Sequence, residues 1–223
     1  MIRPRGLTSE KVVIFKRKLL SWGGENFSVL PWRNRNRSFH SLIVELLLQR
    51  TKAEQVVPAY LQLKHRFPSS KALATASLED IEKLIYSLGL KWRAGHILKL
   101  GQKIYYEYGG VPPLNREELM KLPGVGPYAA GAYLSLHSDI RAIIPDANMV
   151  RILGRVFGFT CYAETRKDKA FLKLCDRITP KRKFKEFNYA VLDFGRKVCT
   201  PTTPKHKVCP IKNICYYFMK NYQ

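Results

Sequence analysis

Apolar residues recur at helical spacing along nearly the whole chain, and nowhere do they alternate with the period of two that marks a half-buried strand. Val12, Phe15, Leu19 and Trp22 define an amphipathic helix over residues 9–22, where Gly23-Gly24 stops the pattern. A second run, residues 39–50, carries Leu42, Ile43, Leu46 and Leu47 on its core face. Further helices are predicted over 53–67, 71–76, 78–86 and 91–108, with Ser77 and Asp80 as N-terminal capping residues of the third. Leu88-Gly89-Leu90 breaks the chain, and Gly109-Gly110 ahead of Pro112-Pro113 closes the longest helix. Beyond Asp146, Val150, Ile152, Leu153 and Val156 continue the helical period to Gly158, and two more helices follow over 167–178 and 184–198. Short connections between helices throughout predict an all-α protein.

One connection is unusual. Leu122-Pro123-Gly124-Val125-Gly126 is followed by Pro127-Tyr128 and an apolar helix to about residue 136. Two glycines one residue apart, bounded by prolines, force a tight turn between helices. Asn115 with Glu118 resembles a capping box at the start of the first helix, and Pro127 suits the first turn of the second. The turn is either an ordinary connection or an anion site, because it sets backbone N–H groups beside a helix N-terminus.

Charge changes the picture. Lysine and arginine number 39 against 17 acids, a net +22, which points to a polyanionic partner. A basic loop from Arg33 to Arg37, with Trp32 and Phe39 at its ends, either touches phosphates or is solvated. Two carboxylates sit where chemistry is possible. Glu45 lies beside an apolar stripe, either desolvated for function or satisfied in the core. Asp146 opens a helix, as an N-cap does. No apolar run approaches a membrane span, which predicts a soluble cytoplasmic protein with no membrane partner.

The cysteine count is five, with three in the last twenty-five residues, a pattern that favours a metal or cluster over a disulfide framework. Cys199, His206, Cys209 and Cys215 give Cys-x6-His-x2-Cys-x5-Cys, enough soft and borderline donors to close around one centre. Cys161 and Cys175 fall outside that spacing and read as core residues.

Taken together, the hairpin, Asp146 and the tail resemble the helix-hairpin-helix DNA glycosylase superfamily, its endonuclease III and adenine-glycosylase branch, from about Pro31-Trp32-Arg33 through Cys215. The resemblance implies two helical lobes with a DNA-binding cleft between them. A six-helix barrel with the hairpin would span residues 30–138, and a second lobe would combine 1–29 with 139–223, ending in a cluster loop at 199–215. In that family the loop carries four cysteines at this spacing, and the chain departs at His206. A [4Fe–4S] cluster with one histidine ligand is implied first, a Cys3His zinc site second and an empty loop third. Lys197, Lys205, Lys207 and Lys212 around the loop suit phosphate contact.

The family's catalytic aspartate matches Asp146, and a second acid lining its base pocket matches Glu45. Bifunctional members carry a lysine that forms a Schiff base with the sugar; Tyr128 stands there and cannot form an imine. The resemblance therefore implies a monofunctional glycosylase acting as a monomer on double-stranded DNA with a mismatched or damaged base. Leu122, Gly124, Val125 and Gly126 would grip the backbone, while Gln49 and Arg50 would fill the gap left by the flipped base. Asp146-Ala147-Asn148 and Leu88-Gly89-Leu90 resemble the mismatch-specific thymine glycosylases; Ala130-Gly131-Ala132 and Val198-Cys199-Thr200-Pro201 lean to the adenine group, and Leu48-Gln49-Arg50-Thr51 is intermediate. The chain ends eight residues after Cys215, without the added domain usual in adenine glycosylases, which favours thymine or uracil opposite guanine. Adenine opposite guanine or 8-oxoguanine is the alternative, and a non-catalytic DNA-binding module a third reading.

Overall fold

The structure, a computed structural model, describes residues 4–33, 38–89 and 91–222. Residues 34–37 of the basic loop and Leu90 lie outside the described residues. The described residues are helical with no strand: α1 (Ser9–Asn26), α2 (Phe39–Leu47), α3 (Ala53–Arg66), α4 (Ser70–Ala74), α5 (Leu78–Ile85), α6 (Trp92–Glu107), α7 (Arg116–Met120), α8 (Pro127–Ala132), α9 (Ala147–Phe157), α10 (Lys169–Ile178), α11 (Phe184–Lys197) and α12 (Tyr216–Tyr222). A π-helical turn, Tyr133–His137, continues α8. The chain divides into two compact units, one of Val29–Ile140 and one of Met1–Ser28 with Arg141–Gln223.

The Val29–Ile140 unit is built around α2, every residue of which is buried. Leu42, Val44 and Leu47 are wholly enclosed, and each contributes about 1.5–3 kcal/mol by leaving water. The helix is shorter than residues 39–50 predict. Its end is set by Arg93 of α6, buried with only 1% of its surface exposed. Arg93 Nη1 donates to the Leu47 carbonyl at 3.0 Å and Nη2 to that of Gln49, supplying partners that a helix C-terminus lacks. The chain then turns through Arg50 in the left-handed region, φ 60°. Trp32 and Phe39, at the ends of the basic loop, are core residues. Trp32 meets Tyr60 edge to face at 5.4 Å.

Capping follows the sequence with two changes. Ser77 caps α5 by accepting from the Asp80 N–H at 3.1 Å, while the Asp80 carboxylate pairs with Arg66. Asn115 accepts from Glu117 and Glu118 N–H groups, but Glu118 does not reach back; its carboxylate takes Tyr108 Oη at 2.9 Å and Lys121 Nζ at 2.6 Å. The reciprocal half of the capping box is thus replaced by ties to Tyr108, just past the end of α6, and to Lys121.

In the other unit α1 packs along α11. Gly23-Gly24 does not end α1, which runs on to Asn26. A Cβ on Gly23 would lie 2.6 Å from that of Ala190, so this glycine serves close helix packing. Phe15 stands edge to face with Phe157 and Phe187, and Trp22 with Phe194, in one apolar cluster that also buries Cys175. Cys161 is exposed, contrary to its reading as a core residue.

Candidate active site and cysteine loop

Within the Val29–Ile140 unit, α2 and α8 bring two expected residues together. Tyr128 Oη donates to Glu45 Oε2 at 2.8 Å. The other carboxylate oxygen, Oε1, lies 2.9 Å from Nε2 of His137. Glu45 is 2% exposed and His137 fully enclosed. Sequence reading finds Glu45 and Tyr128 and misses His137. The π turn explains the miss: its wider register puts residue 137 off the 3.6-residue period that identifies a face.

The hairpin is tied to the same helix. Gly124 has φ 75°, and a Cβ there would lie 2.9 Å from Leu46 Cδ2. Gly126 has φ −97° and open space where a side chain would stand, so the turn's conformation requires only the first glycine. Leu122 and Val125 are buried, with N–H groups donating to the Leu119 and Leu122 carbonyls at 3.0 and 3.1 Å. Gln49 Nε2 donates to the Gly124 carbonyl at 3.2 Å, whereas Arg50 is exposed.

In the other unit Asp146 is the N-cap of α9. Oδ1 accepts from the Met149 N–H at 2.7 Å and Oδ2 from Asn148 Nδ2 at 2.6 Å. The cap reading and the acid reading therefore coexist in one side chain. Burial pushes the Asp146 carboxyl pKa up, opposed by the Met149 and Asn148 bonds and the nearby Arg151 charge. Asn148 is held in turn. Its Oδ1 accepts from Arg151 Nη2 at 2.7 Å, and a Cβ on Gly195 would press to 2.6 Å from that same oxygen. Arg151 also donates to the carbonyls of Gly195 and Cys199, both at 2.8 Å. The sequence signals Asn148 only through the Asp146-Ala147-Asn148 motif, and Arg151 only as part of an amphipathic helix.

Arg151 thereby reaches the cysteine loop. One turn on, Arg155 donates to the Thr200 and Pro201 carbonyls at 2.7 and 2.6 Å and lies 3.4 Å from Cys199 Sγ. Cys199, His206, Cys209 and Cys215 line one small cavity of about 20 Å³. Their donor chemistry suits a soft or borderline metal centre. Among the described residues, no three His, Cys, Asp or Glu side chains are gathered closely enough to share an ion. The His206 ring is packed against Phe218 and Tyr222, centroids 5.0 and 4.5 Å apart. Of the lysines expected to face phosphate, Lys205 and Lys207 are exposed, but Lys197 donates to the Asn26 carbonyl at 2.5 Å.

Compared with known proteins, residues 43–180 match the family described as "HhH-GPD superfamily base excision DNA repair protein". A thymine-DNA glycosylase of Aeropyrum pernix is 36% identical over 220 residues, covering 95% of this chain and 97% of that protein. An adenine DNA glycosylase of Buchnera aphidicola subsp. Baizongia pistaciae is 31% identical over 213 residues, covering 94% of this chain and 60% of that protein. Among solved structures, a thermostable thymine-DNA glycosylase superimposes with a TM-score of 0.85 at 29% identity, covering 95% of this chain and 98% of that one. No helix among the described residues is long and apolar enough to cross a membrane.

Proposed function

This chain belongs to the HhH-GPD superfamily of base excision DNA repair proteins, and we propose that this DNA glycosylase hydrolyses the N-glycosidic bond of a flipped-out thymine or uracil mispaired with guanine. The observation that carries the reaction is the carboxylate of Asp146, fixed by bonds to both oxygens. Bond cleavage develops positive charge on the sugar, and a carboxylate held rigidly beside it stabilises that charge more than the uncharged ground state. The same carboxylate orients the attacking water. Glu45 lines the base pocket with Tyr128, one carboxylate oxygen accepting from the phenol. Tyr128 offers no amine, so the base leaves and the sugar stays in an unbroken strand as an abasic site.

A mismatched base costs less to unstack, which favours its capture. Gly124 and Gly126 present the hairpin's amides to a phosphate, while buried Leu122 and Val125 pin the turn. Gln49, tied to the hairpin, and exposed Arg50 fill the space left in the duplex. The partner is double-stranded DNA, engaged by one copy of the chain. Cys199, His206, Cys209 and Cys215 would hold a [4Fe–4S] cluster, or zinc in the second reading; the group would hold the loop's fold. The alternative substrate, adenine opposite guanine or 8-oxoguanine, draws support from the 31% identity to an adenine glycosylase.

The test is base release from duplexes containing G·T, G·U, A·G and A opposite 8-oxoguanine, with wild type and Asp146→Asn. Release of thymine or uracil alone, lost in the variant and with no adduct trapped by borohydride, is expected. Adenine release alone reverses the substrate. A trapped adduct overturns the monofunctional chemistry, and no release on any duplex leaves the binding-module reading.

A further inference from the structure

His137 has no part in the reaction described above, yet it is completely enclosed and bonded to Glu45. Its other ring nitrogen, Nδ1, is buried with no hydrogen-bond partner among the described residues. A buried N–H without an acceptor is more costly and rarer than a bare acceptor lone pair. The proton of this bond therefore sits on Nε2, donated to Glu45 Oε1, and Nδ1 is the bare ring nitrogen. Tyr128 Oη donates to Oε2. Together the two donors hold the carboxylate as a double acceptor.

The arrangement distinguishes the two oxygens. A proton placed on Oε1 would face the Nε2–H, or would force the ring to its other tautomer and strand a proton on Nδ1. Oε1 is thereby closed by a fully buried donor, whereas Oε2 is shared with the hydroxyl of half-buried Tyr128. On α2 and α6, His40 is bound to the Phe67 carbonyl, Arg93 to those of Leu47 and Gln49, and His96 to that of Trp92.

We propose that His137 is a positioning residue for Glu45, closing Oε1 so that Oε2 is the oxygen presented to the flipped base. The proposal rests on the reading of Glu45 as a base-pocket acid. The π turn Tyr133–His137 is what delivers the ring to that oxygen.

The test compares His137→Ala, His137→Phe and His137→Gln in single-turnover base release from G·T and G·U duplexes, alongside affinity for a duplex carrying an uncleavable tetrahydrofuran abasic analogue. Ala and Phe are expected to slow release about 10- to 100-fold, the worth of a hydrogen bond to a charged group, with affinity changed less than about 3-fold. Gln, whose amide can donate to Oε1, is expected to recover most of the rate. Wild-type rates in Ala and Phe, or Gln no faster than Ala, overturn the proposal. A measurement on the unaltered protein decides the matter if the variants do not fold. The 15N signals of the His137 ring should show protonated Nε2 and bare Nδ1, and a protonated Nδ1 overturns the assignment. Glu45→Gln separates this proposal from its premise: undiminished release there removes Glu45 from the chemistry, whereas the nitrogen signals report the His137 bond independently.

Discussion

Asp146 bears two loads at once, and they pull in opposite directions on stability. As an N-cap it satisfies an amide at the start of α9, a contribution of about 1 kcal/mol. As a half-buried, desolvated carboxylate it resists ionisation, and its pKa is raised. A native group that holds its proton more tightly than the unfolded chain contributes stability that is full below the unfolded pKa, near 3.8. That contribution is lost as pH rises through the raised native value. Ionised Asp146 at pH 7 therefore costs stability. Asp146→Asn keeps an equally good cap without the charge. It is expected to melt at or above the wild-type temperature by calorimetry, while base release falls at least about 100-fold. Because the ionised form carries the reaction, wild-type release should fail on the acid side at a pH above the ordinary aspartate range. An acid limb at or below that range would remove Asp146 from the role.

Elements meet here through glycines whose reasons differ. Gly124 is held at positive φ against Leu46, so Gly124→Ala should cost about 1–3 kcal/mol. That lowers the melting temperature by about 2–4 °C per kcal/mol in a chain of this size. Gly126→Ala meets nothing in the protein and should leave the melting temperature unchanged while weakening duplex binding, measured by fluorescence anisotropy. Equal effects of the two on melting would contradict the distinction. On α11, Gly195 lies under Asn148. Gly195→Ala should displace that amide from Asp146 and slow base release about 10-fold or more, with duplex affinity retained. Where α2 ends is likewise decided by another element, since Arg93 on α6 supplies the bonds that stop it.

For the whole molecule the net charge of +22 is the dominant fact. Duplex binding should weaken steeply with salt, log affinity falling linearly with log salt concentration at about −0.9 per phosphate contacted. A flat dependence would remove the backbone as the main source of affinity. The cysteine loop is tested by colour and metal content. Purified aerobically without chelator, a brown protein with about four irons per chain is the expected outcome. A colourless protein with one zinc would place His206 in a Cys3His site, and neither metal would leave the loop held by Arg151, Arg155 and its own hydrogen bonds.

What the sequence determined by itself is what neighbours within about one helical turn encode. The helical period, the caps at Ser77, Asn115 and Asp146, the left-handed glycine of the hairpin and the family resemblance all lie in short segments. These are legible because capping and amphipathic spacing act between residues three or four apart. What only the tertiary structure decided joins distant positions. His137 reaches Glu45 across 92 residues, Arg93 reaches Leu47 across 46, Arg151 reaches Cys199 across 48, and Lys197 spends its ammonium on Asn26 across 171. No local pattern specifies such pairs, since nothing within a turn of His137, Arg93, Arg151 or Lys197 names the distant group that each meets. Burial turns them into a site, by removing water and leaving each polar group only the partner that the fold provides.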